Sequence, residues 1–333
     1  RRGRRAGGSD RRRLVSEYAF ELALCTHLER TREWVLGRQL GASVADPGAR
    51  IVDVCGVVPG PEFDRRTAIT AETIPPRAVE SDVGPGRAVA PADAFDCAPG
   101  VAARATDRAV DVGYFETERH GSRRHVRATT RYPDWVGGLV AIENKPDLGR
   151  PGALQRQLRR DVSLGLFDTV VLATESYVTG AHLNRIPDAV GVWRFDPDDD
   201  ALTVVRDPVS LAPDAPGIEP LAERPLRTDV AVVAPDAKAR KRRAIAERAY
   251  GKGWRPDAYP GCASMAPTDD GRPYCAALDC VVDPPSDCGE SCPHFDPAEA
   301  PSVDTAALRD ARTPWVADPD GVTRRQAGLD RFT

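Results

Sequence analysis

Residues 50–58, Arg-Ile-Val-Asp-Val-Cys-Gly-Val-Val, are the stretch on which the fold turns. The run is β-branched and almost wholly apolar, the composition of a strand buried on both faces, and Asp53 interrupts it near its middle. A carboxylate is costly to bury without a partner, so Asp53 is expected to do more than pack. Just upstream, Pro47-Gly48 makes a turn. Before it, Leu14, Tyr18, Leu22, Cys25 and Leu28 recur at helical spacing, and residues 14–40 read as the first core helix, with Ser16 as a cap.

Downstream, a second strand is expected over 138–144, then a Pro- and Gly-rich turn at 146–152 and a helix over 153–164. Further strands follow at 168–174, 190–195 and 202–206, with a short helical segment at 181–183. This order predicts an α/β core made of residues 14–58 and 138–207, a mixed sheet flanked by helices. Residues 59–137 are too many for a loop and should form an inserted subdomain. Within them, 91–95 and 99–112 read as helices, and 114–119 with 122–127 as a hairpin, an order that resembles a winged helix-turn-helix. Residues 208–333 read as a Pro- and Asp-rich linker, a basic helix near 237–250 and a Cys-rich region, with little periodicity after 296 and no internal repeat.

Glu143-Asn144-Lys145 closes the second strand. Asp53 and Glu143, on adjacent strands, are expected to bind one or two hydrated Mg²⁺ (or Mn²⁺) ions, because hard cations take carboxylate oxygens and keep several waters. By the period of two, Glu143 and Lys145 share a face, where the ammonium could orient or deprotonate a water and offset charge on a pentavalent phosphate. A third carboxylate is expected from the first helix. Glu21 is preferred for its level along the helix, with Glu17, one turn away, as the alternative. Gln157, beside Gln155 and Arg159 on the next helix, could hold the substrate backbone or the water.

These residues together resemble the PD-(D/E)xK nuclease superfamily, which includes archaeal junction resolvases, RecB-type nucleases and restriction endonucleases, over about residues 14–206. The motifs that carry the resemblance are Glu21, Asp53, Glu143-x-Lys145 and the Gln- and Arg-bearing helix after them. It implies a restriction-endonuclease-like core, Asp53 and Glu143 as metal ligands, Lys145 as catalytic base or charge partner, and metal-dependent hydrolysis of DNA in repair or defence. The chain departs from the family in the long insert between Asp53 and Glu143. As a whole it also resembles an uncharacterised haloarchaeal protein family, from which no activity follows. Two readings compete: a non-catalytic DNA-binding protein on a degenerate nuclease scaffold, and an interaction protein stabilised by zinc.

A winged helix would lay residues 99–112 in the major groove and bring Arg119, Arg123, Arg124 and Arg127 to phosphates. The run Lys238-Ala239-Arg240-Lys241-Arg242-Arg243 reads either as a surface that tracks a nucleic-acid backbone or as a solvated helix face. DNA is therefore the expected partner, and a homodimer is compatible with it.

Cys25, Cys55 and Cys97 stand in apolar or helical contexts and read as packing residues. Cys262, Cys275, Cys280, Cys288 and Cys292, with His294 nearby, fall in a stretch too poor in apolar residues for a core of its own. Cys262, Cys275, Cys288 and Cys292 are the expected ligands of a structural Zn²⁺ or an iron–sulfur cluster, with Cys280 spare. No Cys-x-x-Cys pair is present, and unliganded thiols are the alternative.

With 333 residues and 41% apolar side chains, the chain can bury two domain cores. It lacks the run of about eighteen apolar residues that a membrane helix needs, and its start does not read as a signal peptide, so a cytoplasmic protein without membrane contact is expected. The net charge of −4 is uneven: residues 1–13 hold seven Arg against one Asp, an expected disordered tail. Only four of the 46 basic residues are Lys, and the wealth of Ala, Asp and Arg points to a GC-rich, salt-adapted, haloarchaeal source.

Overall fold

The computed structural model describes residues 16–322, so the basic tail expected at 1–13 lies outside the described residues. Helix α1 (Glu17–Thr31) starts where Ser16 Oγ accepts a hydrogen bond from the Ala19 N–H at 3.1 Å. It does not continue to residue 40. Its C-cap is Arg32, and the chain re-enters as strand β1 (Val35–Gly41) beside β2 (Ile51–Pro59). Leu36 and Leu40 keep a four-residue spacing that suits a helix, but Gly37 costs about 1 kcal/mol inside one. Pairing with β2 satisfies this segment's backbone instead.

The insert holds α2 (Phe63–Thr67), α3 (Pro76–Val79), α4 (Pro91–Ala94), α5 (Pro99–Asp111) and the hairpin of β3 (Phe115–His120) and β4 (Arg123–Ala128). The chain returns through β5 (Val136–Asn144), α6 (Leu154–Leu164), β6 (Thr169–Thr174), α7 (Gly180–Leu183), β7 (Gly191–Asp196) and β8 (Ala201–Arg206). Beyond them lie β9 (Gly217–Arg224), β10 (Arg227–Val233) and α8 (Pro235–Lys252). The two-residue strands β11 (Tyr274–Cys275) and β12 (Cys280–Val281) follow, then α9 (Pro284–Asp287) and α10 (Thr305–Asp310).

A mixed sheet of six strands, in the order β1-β2-β5-β6-β7-β8, forms the centre. β1, β2 and β5 run antiparallel, β5, β6 and β7 parallel, and β8 antiparallel to β7. The insert leaves the central pairing intact, since Val54 faces Ile142 and Val57 faces Leu139 across β2 and β5. Helix α1 covers one face, where Phe20, Leu24 and Leu28 pack with Leu36, Val54 and Ile142. Helices α6 and α8 cover the other, where Leu158, Ile245, Ala249 and Tyr250 meet Val57, Leu139 and Leu172. Each fully buried Leu or Ile on these faces adds about 1.5–3 kcal/mol by leaving water. Helix α8 crosses β1 so closely that a Cβ at Gly37 would lie 2.7 Å from the Ala249 Cα. Cys25 and Cys55 are fully buried in these two layers as packing residues, and Cys97 is half-buried in the insert.

Two expectations for the chain after residue 208 need correction. The presumed linker contains the β9–β10 hairpin, and its fully buried Glu219 accepts from the Val44 and Ala45 N–H groups at 3.0 and 2.7 Å. The basic helix is a wall of the core rather than a free surface. Lys238 is buried and donates to the carbonyls of Ala212 and Ala215 at 3.1 and 2.9 Å, while Arg242 donates to Leu166 O and Asp168 Oδ2 at 2.7 and 2.8 Å. Of that run, Arg240 is exposed. Charge alone could not separate a solvated run from one whose tips bond to carbonyls.

The insert has its own small core of Ile74, Ala109, Tyr114, Phe115 and Val126, and Val89 bridges to Val126 beside the hairpin. It is bolted to α8 by Arg66 and Glu247, both fully buried and paired at 2.7 Å. Among the described residues, no helix is long and apolar enough to cross a membrane.

Candidate active site

Asp53 lies on β2 and Glu143 on β5, its antiparallel neighbour. Asp53 Oδ2 accepts the Asn144 N–H at 2.8 Å, which fixes the carboxylate against the end of β5. Burial pushes the Asp53 carboxyl up, and Glu21 adds to the push, against the Asn144 N–H, Arg50 and Gln39. Glu143 rises for the same first reason, burial, and then because of Asp53, while Arg50 pulls it down. The two carboxyls therefore repel each other in a poorly solvated place, the condition that favours a bound cation.

Their neighbours were not legible beforehand. Arg50, buried at the start of β2, donates Nη2 to Glu143 Oε2 at 2.6 Å and grips Asp161 of α6 through Nε and Nη2 at 3.0 and 2.6 Å. Burial alone would lower the Arg50 guanidinium, but Asp161 and Glu143 hold it above its ordinary value. On the other side Glu21 is buried, ion-paired with Arg38 Nε, and accepts Gln39 Nε2 at 3.1 Å. Gln39 has a φ of 52°, in the left-handed region, and sits between the pairs Arg38–Val54 and Leu40–Val52, across from Asp53. Reading residues 14–40 as one helix hid Arg38 and Gln39. The interruption of an apolar strand by two adjacent polar residues was the signal available.

Glu21 and Glu143 thus both act on Asp53, with Glu21 as the helix carboxylate, but among the described residues the three do not form a group placed to hold a metal ion. Glu17 and Lys145 form a separate pair: the Lys145 ammonium contacts the exposed Glu17 carboxylate, and Asn144 Nδ2 donates to Glu17 O at 2.9 Å. Lys145 does not extend the alternation of Glu143 as expected, because β5 stops at Asn144 and Pro146 turns the chain. The Asn144 Oδ1 is buried without a hydrogen-bond partner.

A cleft of about 540 Å³ opens at this place. Asp53 and Gln39 lie on one wall, Arg156, Gln157 and Arg160 of α6 on a second, and Pro220, Leu221 and Glu223 of β9 on a third. Gln157 is therefore in the cleft with Asp53, whereas Gln155 lines a different pocket with Leu154 and His182. Glu143 lies behind the cleft wall, at 5% exposure.

The four hairpin arginines differ. Arg124 pairs with Asp107 at 2.5 Å and Arg127 with Glu118 at 2.7 Å and with Glu116, whereas Arg119 and Arg123 are exposed. In the Cys-rich region, Cys275 faces Cys280 across the β11–β12 ladder, and Cys262, Cys280 and Cys288 pack on a cluster of Tyr259, Met265, Cys275 and Val282. Burial first, then Cys275, Asp287, Cys292 and Cys262, push the Cys288 thiol up, so the four expected ligands are neighbours. Among the described residues, however, no three His, Cys, Asp or Glu side chains are arranged to hold a metal ion. The Zn²⁺ or iron–sulfur expectation gains no coordination geometry from these residues.

A family model described as a family of unknown function (DUF5787) matches residues 35–297. The chain belongs to DUF5787. The DUF5787 match starts at β1 and takes in Asp53, the insert, Glu143, α6, α8 and the five clustered cysteines, and leaves α1 with Glu21 outside. No curated protein and no solved structure matches the chain.

Proposed function

We propose that this chain is a metal-dependent nuclease that hydrolyses phosphodiesters in DNA, with a restriction-endonuclease-like core and a winged-helix-like insert. One observation carries the reading: Asp53 lies on the wall of an Arg- and Gln-lined cleft, backed by Glu143 on the next strand, in a cluster with more carboxylates than cations. Glu21, Asp53, Glu143 and Asp161 face Arg38 and Arg50 directly, while Arg160, which also acts on Asp161, is paired with Glu219. Such a pair of carboxylates fits a hydrated Mg²⁺ or Mn²⁺, which takes one or two carboxylates and keeps its waters, so a third protein ligand is not needed. When bound, the cation supplies water activation and neutralises charge on the phosphoryl group.

The chain's own residues do the rest. Arg156 and Gln157 bind phosphodiester oxygens along the cleft, and Arg160, anchored by Glu219 at 2.7 Å, limits how far the strand enters. The Asn144 N–H and Gln39 favour the ionised Asp53 carboxylate, and Arg50 that of Glu143, against the burial that raises both. Lys145 keeps the end of β5 in place through Glu17 and serves as a charge partner at the rim. On the insert, Arg119 and Arg123 contact DNA phosphates, while Arg124 and Arg127 shape the hairpin through their carboxylates.

The ion pairs of Glu143 with Arg50 and of Lys145 with Glu17 favour a second reading, a DNA-binding protein whose nuclease scaffold no longer cuts. Incubating the purified protein and its Asp53→Asn variant with single-stranded, duplex and branched DNA in Mg²⁺ or Mn²⁺ separates the two. The nuclease reading expects cleavage by the native chain alone. DNA binding without cleavage of any substrate supports the second reading and overturns the first.

A further inference from the structure

Arg309, on α10, is 7% exposed, and no carboxylate lies within salt-bridge reach of it among the described residues. Two buried acids, on α1 and α8, are already taken. Glu29 of α1 holds Arg255 with both oxygens, at 2.9 and 2.6 Å, and Glu247 of α8 holds Arg66 with both oxygens, at 2.7 Å. Arg309 donates Nη2 to Ala249 O at 3.0 Å and lies over the Trp315 ring at 4.4 Å. Its Nε and Nη1 border Gly253, whose φ of +69° and missing side chain leave this edge uncovered. Burial pushes the guanidinium down to about 9, with Tyr250 and Glu29 pulling the other way, so it stays charged at neutral pH.

That edge lines a pocket of about 120 Å³ whose other walls include Lys252, Arg255, Asp257, Thr305 and Ala306. Three cations and one exposed carboxylate thus surround a space far below the ~300–1,000 Å³ that drug-sized ligands fill. Arg255 is matched by Glu29, whereas Lys252 and Arg309 each bond to a carbonyl, of Arg38 and of Ala249, and of these two unneutralised charges Arg309 is the buried one. A buried charge is retained when something pairs with it, and cation–π contact with Trp315 stabilises a cation without neutralising it.

We infer that the pocket between Gly253, Thr305 and Arg309 is a binding site for one phosphate group, held by the Arg309 guanidinium. With Nη2 taken by Ala249 O, the guanidinium offers its remaining N–H groups to a phosphate oxygen, and Thr305 lines the same pocket. The site is separate from the Asp53 cleft and does not depend on nuclease activity. The phosphate is either free inorganic phosphate or the 5′-phosphate at the end of a nucleic-acid strand.

The test is the thermal midpoint of the full chain, titrated at constant ionic strength with inorganic phosphate, with a 5′-phosphorylated dinucleotide and with chloride. The inference expects a saturable rise of a few degrees with a phosphate ligand that chloride does not reproduce, and its loss in Arg309→Gln. If Arg309→Gln does not fold, Ala306→Leu keeps the guanidinium, adds bulk to the pocket lining and should abolish the rise. A response to the dinucleotide names a strand end as the source, and a response to inorganic phosphate alone names the free ion. No saturable rise with either ligand, or a rise undiminished in the folded variant, overturns the inference.

Discussion

Two buried charge clusters flank the same sheet, and they are balanced differently. At the joint between the insert and α8, one guanidinium meets one carboxylate, and every nitrogen and oxygen of the pair is hydrogen-bonded. Arg66 also donates to Thr70 O and Glu72 O, both at 2.8 Å, and Glu247 also accepts the Tyr132 hydroxyl at 2.7 Å and the Ile74 N–H at 3.0 Å. At the cleft, Glu21, Asp53, Glu143 and Asp161 meet Arg38 and Arg50, with Arg160 shared between Asp161 and Glu219, and one of the four, Asp53, faces open space. A matched buried pair is a structural bolt. An unmatched cluster at a cleft costs stability and persists where a cation or a reaction uses it.

The largest expected effect lies at the bolt. Glu247→Ala strands the buried Arg66 and should cost about 3–5 kcal/mol in denaturant unfolding, loosening the insert from α8. A loss below about 1 kcal/mol would mean that the joint is not a bolt. At the cleft, Asp53→Asn should lower Mg²⁺-dependent cleavage by about a hundredfold or more, because the group it removes supports several kcal/mol of transition-state stabilisation. The same change removes one like charge and should raise stability in chelator by on the order of 1 kcal/mol, the opposite sign to Glu247→Ala.

The comparison sharpens with pH. Asp53 and Glu143 have raised folded-state values, so the folded chain holds their protons longer than the unfolded chain. In chelator, stability should therefore fall as pH rises from the ordinary carboxylate value of about 4 through the raised values, and saturating Mg²⁺ should reverse that fall. Melting curves across this range in Asp53→Asn should be flatter than those of the native chain. The smallest effect belongs to Lys145→Ala, which removes an ion pair with an exposed Glu17 and should change stability by about 0–1 kcal/mol.

Much of the core was legible because burial on both faces writes a strand as a continuous apolar run. Residues 50–58, 138–144 and 168–174 carry that signature, and they became three adjacent strands of the sheet. Asp53 stood out for the same reason, as an acid near the middle of such a run. What was missed was written in other terms. β1 was hidden because Leu36 and Leu40 fit a helix as well as a strand. The β9–β10 hairpin exposes Ile218, Val230 and Val232 and buries Glu219, an inverted pattern that composition cannot decode. Arg50 lies 111 residues from Asp161 and 93 from Glu143, so its pairing with both exists only after folding. Arg309 carried no signal at all, since a buried guanidinium and a solvated one read alike in an Arg-rich chain.

The most direct test of the cleft's unmatched charge is Mn²⁺ binding to the full chain, followed by electron paramagnetic resonance at neutral pH, with Asp53→Asn and Glu143→Gln beside it. A cation site formed by Asp53 and Glu143 predicts saturable Mn²⁺ binding to the native chain, displaced by Mg²⁺ and lost in both variants. Absence of saturable binding, or equal binding by Asp53→Asn, would contradict it.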